Sequence, residues 1–207
     1  MALIDSLNAF RVSVAEANGF IALAFQQDAG GNYVLSQIQR EFITDSAYLK
    51  MFIAWETFLE NSFIKYMLGE PSISGNVITR YVQPLHEQHA NNLLIGTQKY
   101  VDWSNPEIVK KLCNLHFSPG NPIDTFVSSI FTDLFDLKTI RNAAAHLTSS
   151  TRQPLDSLGT RKLQRQCNNL KVSDLIFAVD PNSPTSDTIL TTYLNKLDIS
   201  AEGIANG

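Results

Sequence analysis

One short segment of the chain combines an anion-binding side chain with a proton-transfer side chain. It reads Arg141, Asn142, three alanines and His146. A guanidinium binds anionic oxygens through a planar fork of N–H donors, whereas an imidazole gains and loses protons near neutral pH. The segment therefore contains the residue types that bind an oxyanion and move a proton beside it.

Positive charge is concentrated around this segment. The whole chain has 16 Lys and Arg residues against 20 Asp and Glu residues, which argues against nucleic acid coating its entire surface. Between Lys138 and Lys171, however, seven basic residues accompany a single acidic residue, Asp156. This distribution indicates either a confined polyanion site or a solvated helix face whose charges pair with acids elsewhere.

The apolar pattern predicts that the segment ends a long amphipathic helix at residues 122–147. An Asn-Pro pair just before this range is typical of a helix N-terminus. On an ideal helix counted from Ile123, Arg141 points along the centre of the buried stripe. Asn142 and His146, four residues apart, share a flank of the same helix. We therefore expect Arg141 to point inward and the other two side chains to face a groove.

A glutamate interrupts an earlier apolar helix in a similar way. We expect that helix to begin at a cap formed by Asp45 or Ser46, to end near residue 68 and to lie at the centre of a bundle. Because an unpaired buried charge is costly, we expect Glu56 or Glu60 to hold Arg141. The same residues are also typical of a plain core salt bridge, with the histidine merely favouring the helix end.

Spacings of three and four between apolar residues predict an all-α fold for the rest of the chain as well. The length of 207 residues suits one domain. The pattern is ambiguous over residues 73–81, and we expect residues 203–207 to fray. Further helices are predicted at residues 3–27, 33–42, 85–95, 106–116, 161–169 and 187–197.

Other functional motifs are lacking in the sequence. It contains no glycine-rich phosphate loop and no Gly-x-Ser-x-Gly elbow. Cys113 and Cys167 lie outside any zinc-ligand pattern, so we expect reduced thiols used as small apolar residues. His86 and His89 lack a third ligand, so we expect no metal site and no cofactor. Because no apolar stretch has the length of a signal or membrane span, we expect a soluble, cytoplasmic protein.

The segment resembles the signature of the HEPN superfamily. In that family an Arg, a polar residue and then a His, with four to six residues between Arg and His, end a helix of an all-α domain; residues 137–146 match this pattern. Residues 54–60 resemble the glutamate-bearing earlier helix of several HEPN families. The likeness covers residues 46–151 of one HEPN-like domain, an all-α bundle with peripheral helices. Residues 72–101 then look like an insert, and residues 153–207 like a C-terminal extension.

The resemblance implies a metal-independent endoribonuclease, as found among HEPN toxins, phage-defence proteins and type VI CRISPR effectors. Its products would carry 2′,3′-cyclic phosphate and 5′-hydroxyl ends. Arg141, Asn142 and His146 would be catalytic, supported by the two glutamates and Ser149. The residues expected to guide the RNA backbone are Lys138, Arg152, Arg161, Lys162 and Arg165.

The family is thought to build its site in a twofold homodimer, so we expect a second copy of the chain as a partner. RNA is the expected substrate, an antitoxin protein is a further possible partner, and no membrane is involved. Two alternatives stay open. One is a non-catalytic HEPN adaptor that binds RNA, a nucleotide or a partner protein, and the other is a helical scaffold in which Arg141 is structural.

Overall fold

The computed structural model describes residues 2–207, which form helices joined by loops. No β-strand occurs within this range, and isolated β-bridges are the only extended pairings there. The predicted all-α class is therefore confirmed. None of the described helices has the length and apolar character needed to cross a membrane. The helices are α1 Leu3–Ala24, α2 Gln37–Leu68, α3 Glu87–Ile95, α4 Pro106–His116, α5 Pro122–Ser129, α6 Phe131–Ala145, α7 Ser149–Leu163, α8 Val172–Ile176 and α9 Ile189–Asn206.

Helix α2 begins earlier than the sequence predicted. The expected cap at Asp45 or Ser46 is wrong, because α2 runs without interruption through both residues. Residues 37–44 contain neither Gly nor Pro, so nothing in them stops the helix. Asp and Ser cap a helix only where the preceding backbone leaves the helical conformation. Asp45 is instead a half-buried residue in the middle of α2.

The helix predicted at residues 122–147 is divided in two. Its start is correct, since the Asn121 side chain accepts a hydrogen bond from the N–H of Asp124 at 3.0 Å. The helix breaks at Ile130, where φ is −115° and ψ is 24°. Just before the break, the Ser129 hydroxyl donates to the carbonyl of Phe126 at 2.7 Å. Such local hydroxyl bonds compete with helical hydrogen bonds and bend helices.

The described residues form two compact units, and the first comprises residues 2–11, 54–135 and 196–207. Aromatic residues dominate its core. Phe10 packs against Trp55, with ring centroids 6.1 Å apart. Farther along α2, Phe63 contacts Phe117, whose centroid lies at 4.8 Å. Trp55 is only 1% exposed, so its ring is unavailable for stacking on a ligand.

The C-terminal residues belong to the core of this first unit. Helix α9 continues to Asn206, so the predicted fraying of residues 203–207 is wrong. Ile204 and Ala205 are fully buried. Two acidic residues of α9, Asp198 and Glu202, bind the guanidinium of Arg11 at 2.6 Å each. Apolar burial and this ion pair together hold the end of the chain.

The second unit comprises residues 12–53 and 136–195. Within it, the buried hydroxyl of Tyr48 donates to the carbonyl of Leu137 at 3.0 Å, which fastens α2 to α6. The helix predicted at residues 161–169 is wrongly placed, because α7 covers residues 149–163 and ends at Gln164 with a positive φ of 53°. A loop then leads to the short helix α8. This unit contains the whole Arg-His segment.

Candidate functional site

The C-terminal end of α6 holds all three residues of the Arg-His segment. Arg141 and Asn142 lie half-buried in the helix, and His146 is the exposed residue that follows its last turn. The N–H of His146 still donates to the carbonyl of Asn142 at 3.0 Å. The exposed imidazole is thus attached to a backbone that keeps helical hydrogen bonding.

Arg141 is less buried than we predicted from an ideal helix. The break at Ile130 changes the helix phase, so Arg141 lies beside the buried stripe of α6 and not at its centre. Its Nη1 donates to Oδ1 of Asn142 at 3.3 Å, and its Nε is buried without a hydrogen-bond acceptor among residues 2–207. A buried N–H without an acceptor is costly, so an anionic oxygen that reached this guanidinium would be bound favourably. The buried apolar residues of α6 are Leu134, Leu137, Ile140 and Ala143.

A tight turn fixes the backbone of His146. Its carbonyl accepts hydrogen bonds from the N–H of Thr148, at 3.0 Å, and from the hydroxyl of Thr151. Thr151 also accepts from the N–H of Thr148 at 3.0 Å. The next helix, α7, begins immediately at Ser149. The turn therefore constrains the position of His146 and leaves its side chain in solvent.

Ser149 lies outside α6, which ends at Ala145. Ser149 is instead the first residue of α7, where its exposed side chain lines a groove. Helical periodicity therefore gives no reason to pair it with His146.

Glu56 and Glu60 both lie half-buried on α2. They belong to the first compact unit, whereas Arg141 belongs to the second. Their predicted pairing with Arg141 stays a prediction. Tyr48 and Phe52, on the same helix, are buried in the core.

Two of the predicted RNA-contacting residues bind an internal carboxylate. Arg161 and Lys162 both form ion pairs with Asp136, at 3.3 Å in the case of Lys162. Asp136 is only 5% exposed and also accepts a hydrogen bond from the Tyr193 hydroxyl at 2.9 Å. Sequence reasoning missed this cluster. The available signal was a lone acidic residue within the apolar run of residues 134–137.

The other predicted RNA contacts are more accessible. Arg152 is exposed on α7, and its Nη1 lies 3.4 Å from Oδ1 of Asn169. Arg165 is exposed in the loop after α7, where it and Arg40 line a cavity of about 610 Å³. Lys138 lies half-buried on α6. The three predicted RNA contacts that remain outside the Asp136 cluster therefore include two exposed arginines near the Arg-His segment in sequence.

Histidines and cysteines outside the Arg-His segment pack in the core or cap a helix. His116 is buried edge-on against Phe63, and burial lowers the pKa of its imidazole. Cys113 and Cys167 are free and buried, as predicted. His86 caps α3 by accepting the N–H of His89 at 3.2 Å. Over residues 2–207, no group of three or more His, Cys, Asp or Glu side chains is arranged to hold a metal ion.

No protein-family model, curated protein or solved structure matches this chain. Near the end of α6, the guanidinium of Arg141 is hydrogen-bonded to the amide of Asn142, and the exposed imidazole of His146 follows. This set can bind an oxyanion and exchange a proton with a ligand that reaches the exposed surface.

Proposed function

We propose that this protein is a HEPN-type endoribonuclease that cuts RNA without a metal ion and serves as a toxin or phage-defence effector. One observation supports the proposal above all. Exposed His146 is anchored at the end of α6, five residues after a half-buried arginine whose guanidinium binds the side chain of Asn142. The pattern matches the Arg-polar-His signature in residue type, order and location at a helix end.

The proposed reaction is an internal transesterification. A base removes the proton of the ribose 2′-hydroxyl, and the resulting oxygen attacks the adjacent phosphorus. The bond from phosphorus to the 5′-oxygen breaks, and an acid protonates the departing oxygen. The products are a 2′,3′-cyclic phosphate and a 5′-hydroxyl, so the step consumes neither water nor a redox equivalent.

The three residues then have distinct roles. His146 exchanges protons with the reacting oxygens, because imidazole is the side chain best suited to both roles near neutral pH. Arg141 stabilises the negative charge that develops on the phosphorane. Asn142 orients the guanidinium through the 3.3 Å contact between its Oδ1 and Nη1 of Arg141.

A homodimer would complete this site. One chain supplies a single His146, whereas the reaction needs a base and an acid at the same time. A twofold axis beside the end of α6 would bring two imidazoles and two guanidinium groups to one groove. His146 is accessible to a second copy, and the neighbouring Leu147, 44% exposed, offers an apolar contact for it.

Cleavage by purified protein tests the proposal. Total RNA and tRNA are incubated with the protein in EDTA, and the ends of the products are analysed. We expect metal-independent cleavage that leaves cyclic phosphates and is lost in His146→Ala. His89→Ala is the matched control, because it also removes an imidazole near a helix end but lies far along the chain in α3.

The other outcomes discriminate among the alternatives. Cleavage that persists in His146→Ala would overturn the assignment of the site. Absence of cleavage by the folded, dimeric wild-type protein would favour a non-catalytic adaptor that binds RNA, a nucleotide or a partner protein. The toxin role has its own test: induced expression should arrest growth, the His146→Ala variant should not, and an antitoxin should be recoverable as a gene that restores growth.

A further inference from the structure

An open groove of about 730 Å³ follows α7 in the second unit. One wall is a single face of the helix, which includes Arg152, Gln153 and Ser157. The opposite wall is the loop after the helix, which contributes Gln166 and Asn168. The groove is therefore lined mainly by polar side chains, and its lining includes neither Arg141 on α6 nor His146 after it.

Hydrogen bonds between α7 and the loop hold the two walls together. The Asp156 carboxylate accepts the N–H groups of Asn169, at 3.0 Å, and Leu170, at 2.7 Å. The hydroxyl of Thr160 accepts the N–H of Cys167 at 3.1 Å. Because these bonds join helix to loop without help from a ligand, the groove is preformed and a ligand need not order it.

The side chains that face the groove have unused hydrogen-bonding capacity. Gln153, Gln166 and Asn168 are exposed, and none of these three amides has a hydrogen-bond partner among residues 2–207. Each amide offers N–H donors and a carbonyl acceptor side by side. The exposed edge of an unpaired nucleobase presents the same combination of donors and acceptors.

The charge and location of the groove favour a nucleotide over other polar ligands. Arg152 places an exposed guanidinium at the groove, suited to a phosphate. Ser149, at the start of the groove, follows His146 by three residues. The Asp156 carboxylate also lines the groove, where its two oxygens accept the backbone N–H groups of Asn169 and Leu170.

We propose that the α7 groove binds a nucleotide of single-stranded RNA next to the phosphate that is cut. The amides of Gln153, Gln166 and Asn168 contact the base, and Arg152 contacts the backbone phosphate. The groove then sets the sequence preference of the enzyme. Its placement beside a cut phosphate rests on the proposed function, whereas the binding of RNA in the groove is tested without cleavage.

The binding experiment uses the full chain with His146→Ala, so that RNA stays intact. Fluorescein-labelled eight-nucleotide RNAs of A, C, G or U are titrated and followed by anisotropy at several salt concentrations. Arg152→Gln is expected to weaken binding of all four RNAs by about tenfold and to lower the salt slope by about 0.7. Alanine at Gln153, Gln166 or Asn168 is expected to change the ranking of the four RNAs.

Matched controls come from exposed residues of the first unit. Lys111→Gln removes one positive charge, and Gln83→Ala removes one amide, both far along the chain from the groove. Both controls should bind RNA as the parent does. Because all of the substituted side chains are exposed, the variants should fold, and their melting temperatures check this directly.

The binding and cleavage experiments distinguish an error in the proposed groove site from an error in the proposed ribonuclease activity. RNA binding that is equal in groove variants and controls would overturn the groove site, even if the wild-type protein cleaves RNA. Groove-dependent binding by a protein whose wild-type form cuts nothing would overturn only the ribonuclease. Failure to bind any of the four RNAs, together with absence of cleavage, would overturn both.

Discussion

The hydroxyl of Thr151 donates a hydrogen bond to the backbone carbonyl of His146. The same carbonyl accepts the N–H of Thr148, so the residue that follows α6 and the first turn of α7 form one hydrogen-bonded unit. The backbone that carries the exposed imidazole is therefore held by the first turn of α7. Movement of the α7 N-terminus would change where the imidazole points.

Thr151→Val should separate positioning from catalysis. Valine keeps the shape of threonine but loses the hydroxyl, so we expect a loss of about 1 kcal/mol in the free energy of unfolding. RNA cleavage should fall by about tenfold, because the carbonyl of His146 loses one of its two hydrogen bonds. Urea unfolding and initial cleavage rates measure the two effects.

Ser150→Ala is the control for Thr151→Val. The Ser150 hydroxyl contacts that of Thr148 and does not contact the carbonyl of His146. Cleavage should therefore stay near the wild-type rate. If Thr151→Val lost stability but cleaved RNA at the normal rate, the turn would have no part in positioning His146.

Lys162 and Arg161, the two cations that bind Asp136, should contribute very different amounts to the stability of the protein. Lys162 is 17% exposed and also lies over the Tyr193 ring at 4.8 Å, whereas Arg161 is 53% exposed. Removing the less exposed cation deprives the buried Asp136 carboxylate of a partner that solvent does not easily replace, at a cost of up to about 3 kcal/mol. An exposed partner contributes less than about 1 kcal/mol, because solvent screens it. We therefore expect Lys162→Ala to be much more destabilising than Arg161→Ala in urea unfolding.

Asp136→Asn completes this comparison. It removes the charge that both cations share, so its destabilisation should be at least that of Lys162→Ala. Equal effects of Lys162→Ala and Arg161→Ala would show that burial does not decide the strength of these ion pairs. Arg161 would then be as structural as Lys162.

Local residue patterns predicted part of this architecture. The Asn-Pro pair at residues 121–122 correctly marked the start of α5, because a capping side chain and a proline act on the backbone next to them. The helix predicted at residues 106–116 also coincides with α4. The central aromatic residues of α2 were also placed correctly in the core, because a helix that is apolar nearly all round must be buried.

Features that depend on distant or irregular contacts were not predictable in this way. The break at Ile130 follows from a local hydroxyl bond that an ideal helix ignores, and it shifted the expected depth of Arg141. The partners of Asp136 lie 25 residues away or more along the chain, beyond the reach of helical periodicity. The groove also needs α7 and the loop after it to fold back, which composition alone did not indicate.

Asp45 should make stability depend on pH. Burial, and secondarily the charge of Glu41, raise the pKa of the Asp45 carboxyl to about 6. A carboxyl with a raised folded-state pKa binds its proton more tightly in the folded chain than in the unfolded one, whose pKa is about 4. This contribution to stability is present below pH 4 and is lost as the pH rises to about 6.

The Asp45→Asn variant tests this dependence. At pH 7 it should be more stable than wild type by about 1 kcal/mol. This value is smaller than the pKa shift alone implies, because solvent partly screens the half-buried Asp45 carboxylate. The difference should disappear below pH 4, where wild-type Asp45 is protonated. Urea unfolding from pH 3.5 to pH 7.5 is the measurement, with the exposed Glu87→Gln as control. A stability gain in Asp45→Asn that is independent of pH would contradict the titration of Asp45.

Gly203 and Gly19 should respond in opposite directions to the same substitution. Both lie within helices, α9 and α1 respectively. A Cβ at Gly203 would overlap the ring of Phe126, whereas a Cβ at Gly19 would meet nothing within 4 Å. Overpacking costs about 1 to 3 kcal/mol, and alanine in place of glycine in a free helix position gains about 0.5 to 1 kcal/mol. Gly203→Ala should therefore lower the melting temperature, and Gly19→Ala should raise it. If Gly203→Ala were stabilising as well, α9 would not pack closely on Phe126, and the fraying expected from the sequence would be the better description of the C-terminus.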